Sequence, residues 1–406
     1  MKSIFTTSCG SYGPLSSFIA PYFDQVQKQG YADSSLWAQI QVLKVCDRWM
    51  KQTGRNAGDL DETVLRGCLR LLSRRVYGRN TGPSTLRRFL KMLRELGVSP
   101  PTKAERPSIL KQLIELYEHY LVVDRNLSPN SIAHLLLFAR RFLNEIFGRG
   151  RLKLSALRAP DITAYIQRHA RDHGPFFTRQ LVSQTRCFLR YLHYKGLIDT
   201  DLSLAVPKVA RWRFSTLPKH LPAAQVRQVL QHCGRKTAMG RRDYAILLLL
   251  ARLGLRAGEI VKLRLEDIDW DNARITVCGK GGDWAQLPLP TDAANAIVQY
   301  LRHGRPHCAC RRLFIRDHAP LDGFRYATAV SKIVQRALER AGVASDRKGA
   351  HLLRHSLATE MLRKGASLDE IGEVLRHRSS DTTAIYAKVD LAALRALALP
   401  WIGGYV

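Results

Sequence analysis

The sequence predicts a mainly α-helical protein that carries a small β-sheet in its last part. Apolar residues recur at helical spacing through most of the 406-residue chain, beginning at about residue 15. Prolines interrupt this spacing near residue 100 and again between 206 and 222, which separates the helices into domains. Two short segments at 273–277 and 285–289 flank a glycine turn and predict a pair of strands.

These breaks divide the chain into five segments, and the length suits two or three domains. The predicted segments are a helical N-terminal domain at 1–100, a helical core domain at 106–206, a basic linker at 207–221, a mainly helical domain with the small sheet at 222–390, and a C-terminal tail at 391–406.

Local sequence patterns predict individual helices and turns within these segments. Residues 36–43 place leucine and isoleucine on one face of a helix in the first domain. In the second, the pair Ser128-Pro129 begins a helix with a capping side chain and an early proline. A later helix at 178–194 carries arginines on one side and apolar residues on the other. The apolar run 244–251 has the length of a core helix, and the turn 279–282 joins the predicted strands.

The charge balance indicates a polyanionic partner. The chain has 64 Lys and Arg against 34 Asp and Glu, a net charge of +30. Such an excess repels itself unless a polyanion neutralises it, so nucleic acid is the expected partner. The alternative is a basic surface without a specific ligand, and a membrane partner is not expected because no apolar run approaches a span. The residues expected to contact phosphates are Arg179, Arg186, Arg190, Lys208, Arg211 and Arg213.

Cysteine use favours a reducing compartment. The eight cysteines are scattered without the regular spacing of a disulfide framework, and residues 1–13 lack the apolar segment of a secretory signal. A cytoplasmic protein is therefore expected. Cys308 and Cys310, with His303 and His307 nearby, could suggest zinc, but the C-x-C spacing has no matching second pair. We expect no metal site there.

Several residues of the fourth segment carry groups that suit a phosphate. Arg256 follows the strongly apolar helix and precedes Glu259 by three residues, and Lys280 lies in the glycine turn. His351 and Arg354 share a helix face, where two donor-rich groups without an acid between them favour a bound anion. Each feature alone has an ordinary alternative, such as a snorkelling arginine or a solvated lysine.

His377 and Tyr386 complete the set, and the combination is more specific than its parts. In chain order, the sequence resembles the tyrosine recombinase (phage integrase) family in its L-x-R-x-x-E, its hairpin lysine, its H-x-L-R-H-S-x-A-T, its L-x-H and the tyrosine that follows. The resemblance covers 222–388 fully and extends more loosely to the core domain, which then corresponds to the family's DNA-binding core domain. The matching residues are Arg256, Lys280, His351, Arg354, His377 and Tyr386.

Two positions depart from the family pattern. Arg376 stands where the family often has the glycine of L-G-H, and Asp283 stands where a second basic residue is common after the lysine. Neither departure removes a matching catalytic group. Both could alter the approach to the DNA backbone.

The resemblance implies a covalent mechanism. Tyr386 would attack a DNA phosphodiester and form a 3′-phosphotyrosyl bond, so rejoining would need no ATP, and no metal or other cofactor is expected. Arg256 and Arg354 would hold the phosphate, because a guanidinium binds two phosphate oxygens and stays charged. His351 is the candidate base by analogy with the family.

The remaining groups have supporting roles in this scheme. His351 and His377 would donate further hydrogen bonds to the phosphate, and Lys280 would protonate the departing 5′ oxygen. Glu259 would orient Arg256 rather than touch the substrate.

The family also implies partners and a biological role. Double-stranded DNA is the substrate, and four protomers, with or without related recombinases, are expected to synapse two DNAs. The additional N-terminal domain and the tail are typical of integrases of transposons and other mobile elements. The tail would pack into a neighbouring subunit or complete its own core. Two alternatives stay open: a type IB topoisomerase, and a catalytically inactive DNA-binding or architectural protein.

Overall fold

The structure is a computed structural model, and it describes residues 13–73, 81–101, 108–148, 152–209, 219–279 and 281–389. It confirms the predicted fold class of a mainly helical chain with a small sheet. The chain divides into two compact units, one made of 1–102 with 214–406 and the other of 103–213. Within the first unit, the backbone N–H of Leu321 donates to the carbonyl of Gln29 at 2.9 Å, which ties the N-terminal helices to the loop before α13.

The N-terminal helices of the first unit pack around their own apolar core. They are α1 (Ser16–Lys28), α2 (Asp33–Gln52), α3 (Glu62–Ser73) and α4 (Thr81–Glu95). Val42, Leu43 and Phe89 are fully buried there. Cys46 of α2 and Cys68 of α3 form a disulfide in this core, whereas the scattered cysteine spacing predicted none. The pairing depends on which helix faces meet, and spacing along the chain does not show that.

The second unit is a bundle of four helices with an aromatic core. They are α5 (Ile109–Val123), α6 (Pro129–Phe147), α7 (Ala159–Asp172) and α8 (Pro175–Tyr194). Ser128 accepts a hydrogen bond from the backbone N–H of Ser131 at 3.4 Å, so the predicted start of α6 is confirmed. The rings of Tyr117 and Phe188 pack edge to face with centroids 5.0 Å apart.

The C-terminal part of the first unit surrounds the buried helix α10. Its helices are α9 (Ala223–Gln231), α10 (Ala238–Leu253), α11 (Ala257–Lys262), α12 (Thr291–His303), α13 (Ala327–Arg340), α14 (His351–Arg363), α15 (Leu368–Leu375) and α16 (Ser380–Thr383). Leu247, Leu249 and Leu250 of α10 are fully buried, because a helix apolar on every side must be covered on every side. Short 3₁₀ helices lie at Ala57–Asp59, Leu154–Ala156, Leu202–Ala205, Leu265–Asp267 and Ala384–Val389.

The sheet has three antiparallel strands in the order β1, β2, β3. They are β1 (Ile268–Asp269), β2 (Arg274–Cys278) and β3 (Trp284–Pro288). The hairpin of β2 and β3 was predicted, and Ile275 lies opposite Leu287 in its register. The two-residue strand β1 is too short for an alternating pattern to reveal. None of the helices within the described residues combines the length and the hydropathy that a membrane span requires.

Candidate active site

Arg256 is held at the start of α11 by the carboxylate of Glu259. Gly254 ends α10 in the left-handed conformation, at φ 56°, and directs the chain into α11. Glu259 Oε2 then accepts the backbone N–H of Arg256 at 2.8 Å, and Oε1 accepts its Nη1 at 2.8 Å. The Glu259 side chain is 2% exposed, and these bonds compensate its carboxylate for the loss of water. The arginine head is therefore fixed in direction.

Arg354 of α14 is the most deeply buried arginine of the site, with 3% of its surface exposed. It donates to the carbonyl of Gly254, which follows α10, and to that of Leu375, the last residue of α15. Burial, followed by the charges of Arg256 and Arg376, lowers its pKa to about 10. The group still carries its proton at neutral pH. It keeps N–H donors beyond the two that these carbonyls use, because a guanidinium has five.

Arg376, the first departure from the family pattern, belongs to the same cluster. It ends α15 in the left-handed conformation at φ 55°, where glycine would be unstrained. Its Nη2 donates to Glu259 Oε2 at 3.0 Å, and its carbonyl accepts Arg256 Nη2 at 3.0 Å. One carboxylate thus neutralises part of the charge of three guanidinium groups. The excess positive charge makes the cluster suitable for an anion.

Tyr386 lies in the last 3₁₀ helix and is 1% exposed. Its hydroxyl is 2.7 Å from Nδ1 of His355, a residue of α14. His377 follows α15; its Nδ1 bonds the Thr383 hydroxyl at 2.7 Å, and its ring lies parallel to that of Tyr386 with centroids 6.5 Å apart. His351 is one turn before His355, with ring centroids 6.2 Å apart.

Burial and nearby positive charge keep these groups neutral in the free protein. Burial raises the pKa of Tyr386 to about 12, although Arg354 acts in the opposite direction. Desolvation, then His351 and Arg354, lowers the pKa of His355 to about 4. Desolvation, then Arg354 and Arg256, lowers the pKa of His377 to about 4. The pKa of His351 is lowered as well, by desolvation and then by Arg354.

The structure thus brings together five of the six predicted catalytic residues and adds two. Arg256, His351, Arg354, His377 and Tyr386 form one cluster, and Lys280 lies outside the described residues. His355 and Arg376 were not predicted as site residues. A signal for His355 existed, because it follows His351 by four residues and so shares its helix face.

The second departure, Asp283, pairs with a residue next to the site. Its Oδ2 accepts Nε of Arg378 at 2.6 Å, and its carbonyl accepts the N–H of Gly279 at 2.7 Å. Gly281 and Gly282 adopt positive φ values of 95° and 90°, which the turn requires. The acid therefore connects the hairpin turn with the residue after His377.

The residues predicted to contact phosphates lie partly within the described chain. Arg179, Arg186 and Arg190 are on α8, where Arg190 is exposed and Arg186 donates to the carbonyl of Val206 at 3.0 Å. Lys208 is exposed in the segment after α8. Arg211 and Arg213 lie outside the described residues.

The described residues contain no group of three or more His, Cys, Asp or Glu side chains arranged for a metal ion. Cys308 and Cys310 belong to the described residues, and both are half-buried. Cys310 Sγ instead contacts the carboxylate of Asp322 at 3.0 Å.

Comparison with known proteins agrees with this geometry. Residues 219–392 match the phage integrase family. The integrase/recombinase y4rA of Sinorhizobium fredii is 41% identical over 402 residues, 98% of this chain and 97% of that protein. The tyrosine recombinase XerD of Listeria innocua is 29% identical over 299 residues, 70% of this chain and 97% of that protein.

A similar fold occurs in a solved structure. The XerH site-specific recombinase in its post-cleavage complex with palindromic difH substrate has a TM-score of 0.54 and 17% identity, and the match covers 89% of this chain and 94% of that one. At this identity the likeness concerns the fold. The match with y4rA over nearly the whole length, together with the matched family segment, decides the membership: the chain belongs to the phage integrase family and is a tyrosine-type site-specific recombinase.

Proposed function

We propose that this recombinase cleaves and rejoins double-stranded DNA with Tyr386 as its nucleophile. The observation that carries the proposal is the position of the buried Tyr386 hydroxyl, 2.7 Å from a neutral imidazole and beside Arg354, whose charge lowers the pKa of the phenol against the effect of burial. A phosphodiester is an anion, and its transition state carries more charge on the phosphate oxygens. The arginine cluster offers positive charge where that charge develops.

Arg256 and Arg354 bind the non-bridging oxygens of the scissile phosphate in this scheme. Glu259 fixes the direction of Arg256, and buried carbonyls fix that of Arg354, so little reorganisation is needed when DNA arrives. His351 and His377 supply further N–H donors as neutral imidazoles. Preorganised donors of this type each contribute roughly 10²–10³-fold to rate in other enzymes.

The reaction balances without a metal or nucleotide. Tyr386 Oη loses its proton and forms a bond to phosphorus, while the bond from phosphorus to the 5′ oxygen breaks. Lys280 gives the leaving oxygen a proton. The 3′-phosphotyrosyl bond retains the energy of the broken linkage, so a 5′ hydroxyl can reverse the step and rejoin a strand.

Duplex binding uses basic residues outside the catalytic cluster. We assign phosphate contacts to Arg179, Arg186, Arg190 and Lys208, with Arg211 and Arg213 continuing the basic segment. Such contacts position the protein on DNA and carry no sequence information. The XerH complex with its difH substrate supports DNA binding for a chain of this fold.

Recombination between two DNAs needs more than one protomer, and we assign a tetramer to the synapsed state. The tail at 391–406 lies outside the described residues, and we propose that it packs into a neighbouring subunit. Truncation before Leu391 is then expected to abolish synapsis, measured as a slower-migrating protein–DNA complex in a native gel. Synapsis and cleavage that persist unchanged would contradict the trans contact.

Movement of a mobile element is the biological role that we propose. The support is the integrase/recombinase y4rA, which matches this chain from the N-terminal domain to the tail. XerD of Listeria innocua matches 70% of the chain. The y4rA match therefore includes chain that the XerD match leaves out.

Covalent capture on nicked DNA separates this function from its alternatives. Nicked duplexes tiled across the DNA that flanks the gene should trap a protein–DNA adduct with the native chain, at a limited set of sites, and none with Tyr386→Phe. Relaxation of any supercoiled plasmid without site preference would favour a type IB topoisomerase. Tight binding to flanking DNA with no adduct would favour an architectural protein.

A further inference from the structure

The Tyr386 hydroxyl has a basic partner that the family pattern did not assign. His355 Nδ1 lies 2.7 Å from it, and the two ring centroids are 5.6 Å apart with planes tilted by 59°. This distance is within the reach required of a group that removes a proton. The hydroxyl is buried, so proton transfer to bulk water is obstructed. A base inside the site is needed.

The other two imidazoles are less well placed for this task. His377 directs Nδ1 to the Thr383 hydroxyl, and among the described contacts no hydrogen bond joins its ring to the phenol, whose ring centroid is 6.5 Å away. His351, the first residue of α14, keeps much of its surface open to solvent, although neighbouring atoms partly desolvate its ring. Among the described contacts it has a ring neighbour in His355 and no hydrogen bond to the phenol. His351 is therefore better placed to meet a phosphate arriving from solvent.

The charges around His355 make its basicity depend on the substrate. The groups that face it are His351, Arg354, Arg347, His220, His377 and Tyr386. Arg354 and Arg347 are positive and lower the pKa of His355, as burial does. A phosphate bound to Arg354 adds negative charge and offsets this effect. The pKa of His355 then rises when DNA occupies the site.

Resting on the proposed function, we infer that His355 accepts the proton of Tyr386 during cleavage. His355 begins as the Nε2–H tautomer, with Nδ1 free to accept. The Oη–H bond breaks, the proton moves to Nδ1, and Oη bonds to phosphorus as the 5′ oxygen departs with a proton from Lys280. In rejoining, the 5′ hydroxyl gives its proton back to Lys280 and bonds to phosphorus, the bond from phosphorus to Tyr386 Oη breaks, and His355 returns its proton to Oη. His351 then acts on the phosphate instead of on the phenol.

The variant His355→Gln tests the proton transfer while keeping a hydrogen bond to the Tyr386 hydroxyl. The amide oxygen in His355→Gln accepts a bond from the phenol but cannot take its proton. The matched control is His351→Gln, the same change one turn earlier on α14. Both variants and the native chain are compared on the nicked duplex that gives the native adduct. Equal affinity for that duplex shows that each variant is folded.

The two variants should differ in how their loss of cleavage rate depends on pH. Loss of a general base costs about 10²–10⁴-fold in cleavage rate at neutral pH. Because hydroxide replaces the missing base, the loss in His355→Gln should shrink about tenfold for each unit of pH between about pH 6 and pH 9. His351→Gln, which loses a phosphate contact, should show a loss that stays constant with pH.

Two results would overturn the transfer while leaving the recombinase function intact. One is cleavage by His355→Gln within about threefold of the native rate, since general-base loss costs far more. The other is a loss in His355→Gln that stays constant with pH. A native chain that forms no adduct would instead overturn the proposed function and the transfer together.

Discussion

Glu259 holds two arginines with one buried carboxylate, so its replacement by glutamine has a cost that the structure allows us to estimate. The carboxylate accepts Arg256 N and Nη1 at 2.8 Å and Arg376 Nη2 at 3.0 Å. Hydrogen bonds to charged groups contribute about 1.5–3 kcal/mol each. An amide keeps one acceptor but turns an N–H toward a donor, and it leaves two partly buried cations without their counter-charge. Removing one partner of a buried pair costs about 3–5 kcal/mol.

Urea unfolding followed by tryptophan fluorescence measures this loss. With a slope of about 2–3 kcal/mol per molar urea, the midpoint of Glu259→Gln should fall by about 1–2.5 M. The matched control is Glu266→Gln, which loses an Arg–Glu pair of similar spacing, 2.7 Å, on the exposed surface. Its midpoint should change far less, because surface pairs are solvated and screened. Equal midpoints for the two variants would refute the role given to the buried carboxylate.

Two further predictions follow from charge. The pKa values of His355 and His377 in the folded chain are near 4, below the ordinary 6.5. As pH falls below about 6.5, the unfolded chain therefore takes up protons at these positions before the folded chain does, and the free energy of unfolding should decrease down to about pH 4. Each histidine contributes a slope of up to about 1.4 kcal/mol per pH unit. Urea midpoints across this range should be flatter for the double variant His355→Gln/His377→Gln, and identical slopes would contradict the assignment. Arg190→Ala should weaken binding equally for all duplex sequences and reduce the slope of log affinity against log salt by about 0.9; an effect confined to one sequence, seen in a filter-binding titration, would mean that Arg190 reads bases.

The sequence predicted the parts of the fold and site that depend on local patterns. Helical periodicity located α6 and α8, and the capping serine at 128 marked where α6 begins. The glycine turn at 279–282 predicted the β2–β3 hairpin. His351 and Arg354 were paired correctly on one helix because three-residue spacing alone places them together.

Contacts between distant segments were not predictable in the same way. Arg376 was recognised as a departure, but its bond to Glu259 joins residues 117 positions apart. Nothing in the local sequence gives that distance. The disulfide of Cys46 and Cys68 likewise depends on the packing of α2 against α3. His355 was quoted within the motif, yet its contact with Tyr386 requires the 3₁₀ helix to fold back onto α14.

The position of the phosphotyrosyl bond tests the central claim about Tyr386. The native adduct on nicked DNA can be digested with trypsin and nuclease and the modified peptide identified by mass spectrometry. A nucleotide should be attached through its 3′ phosphate to Tyr386, within the tryptic segment 379–388. The same treatment of Tyr386→Phe should yield no modified peptide. A nucleotide attached to any other tyrosine, or an adduct that survives in Tyr386→Phe, would contradict the account.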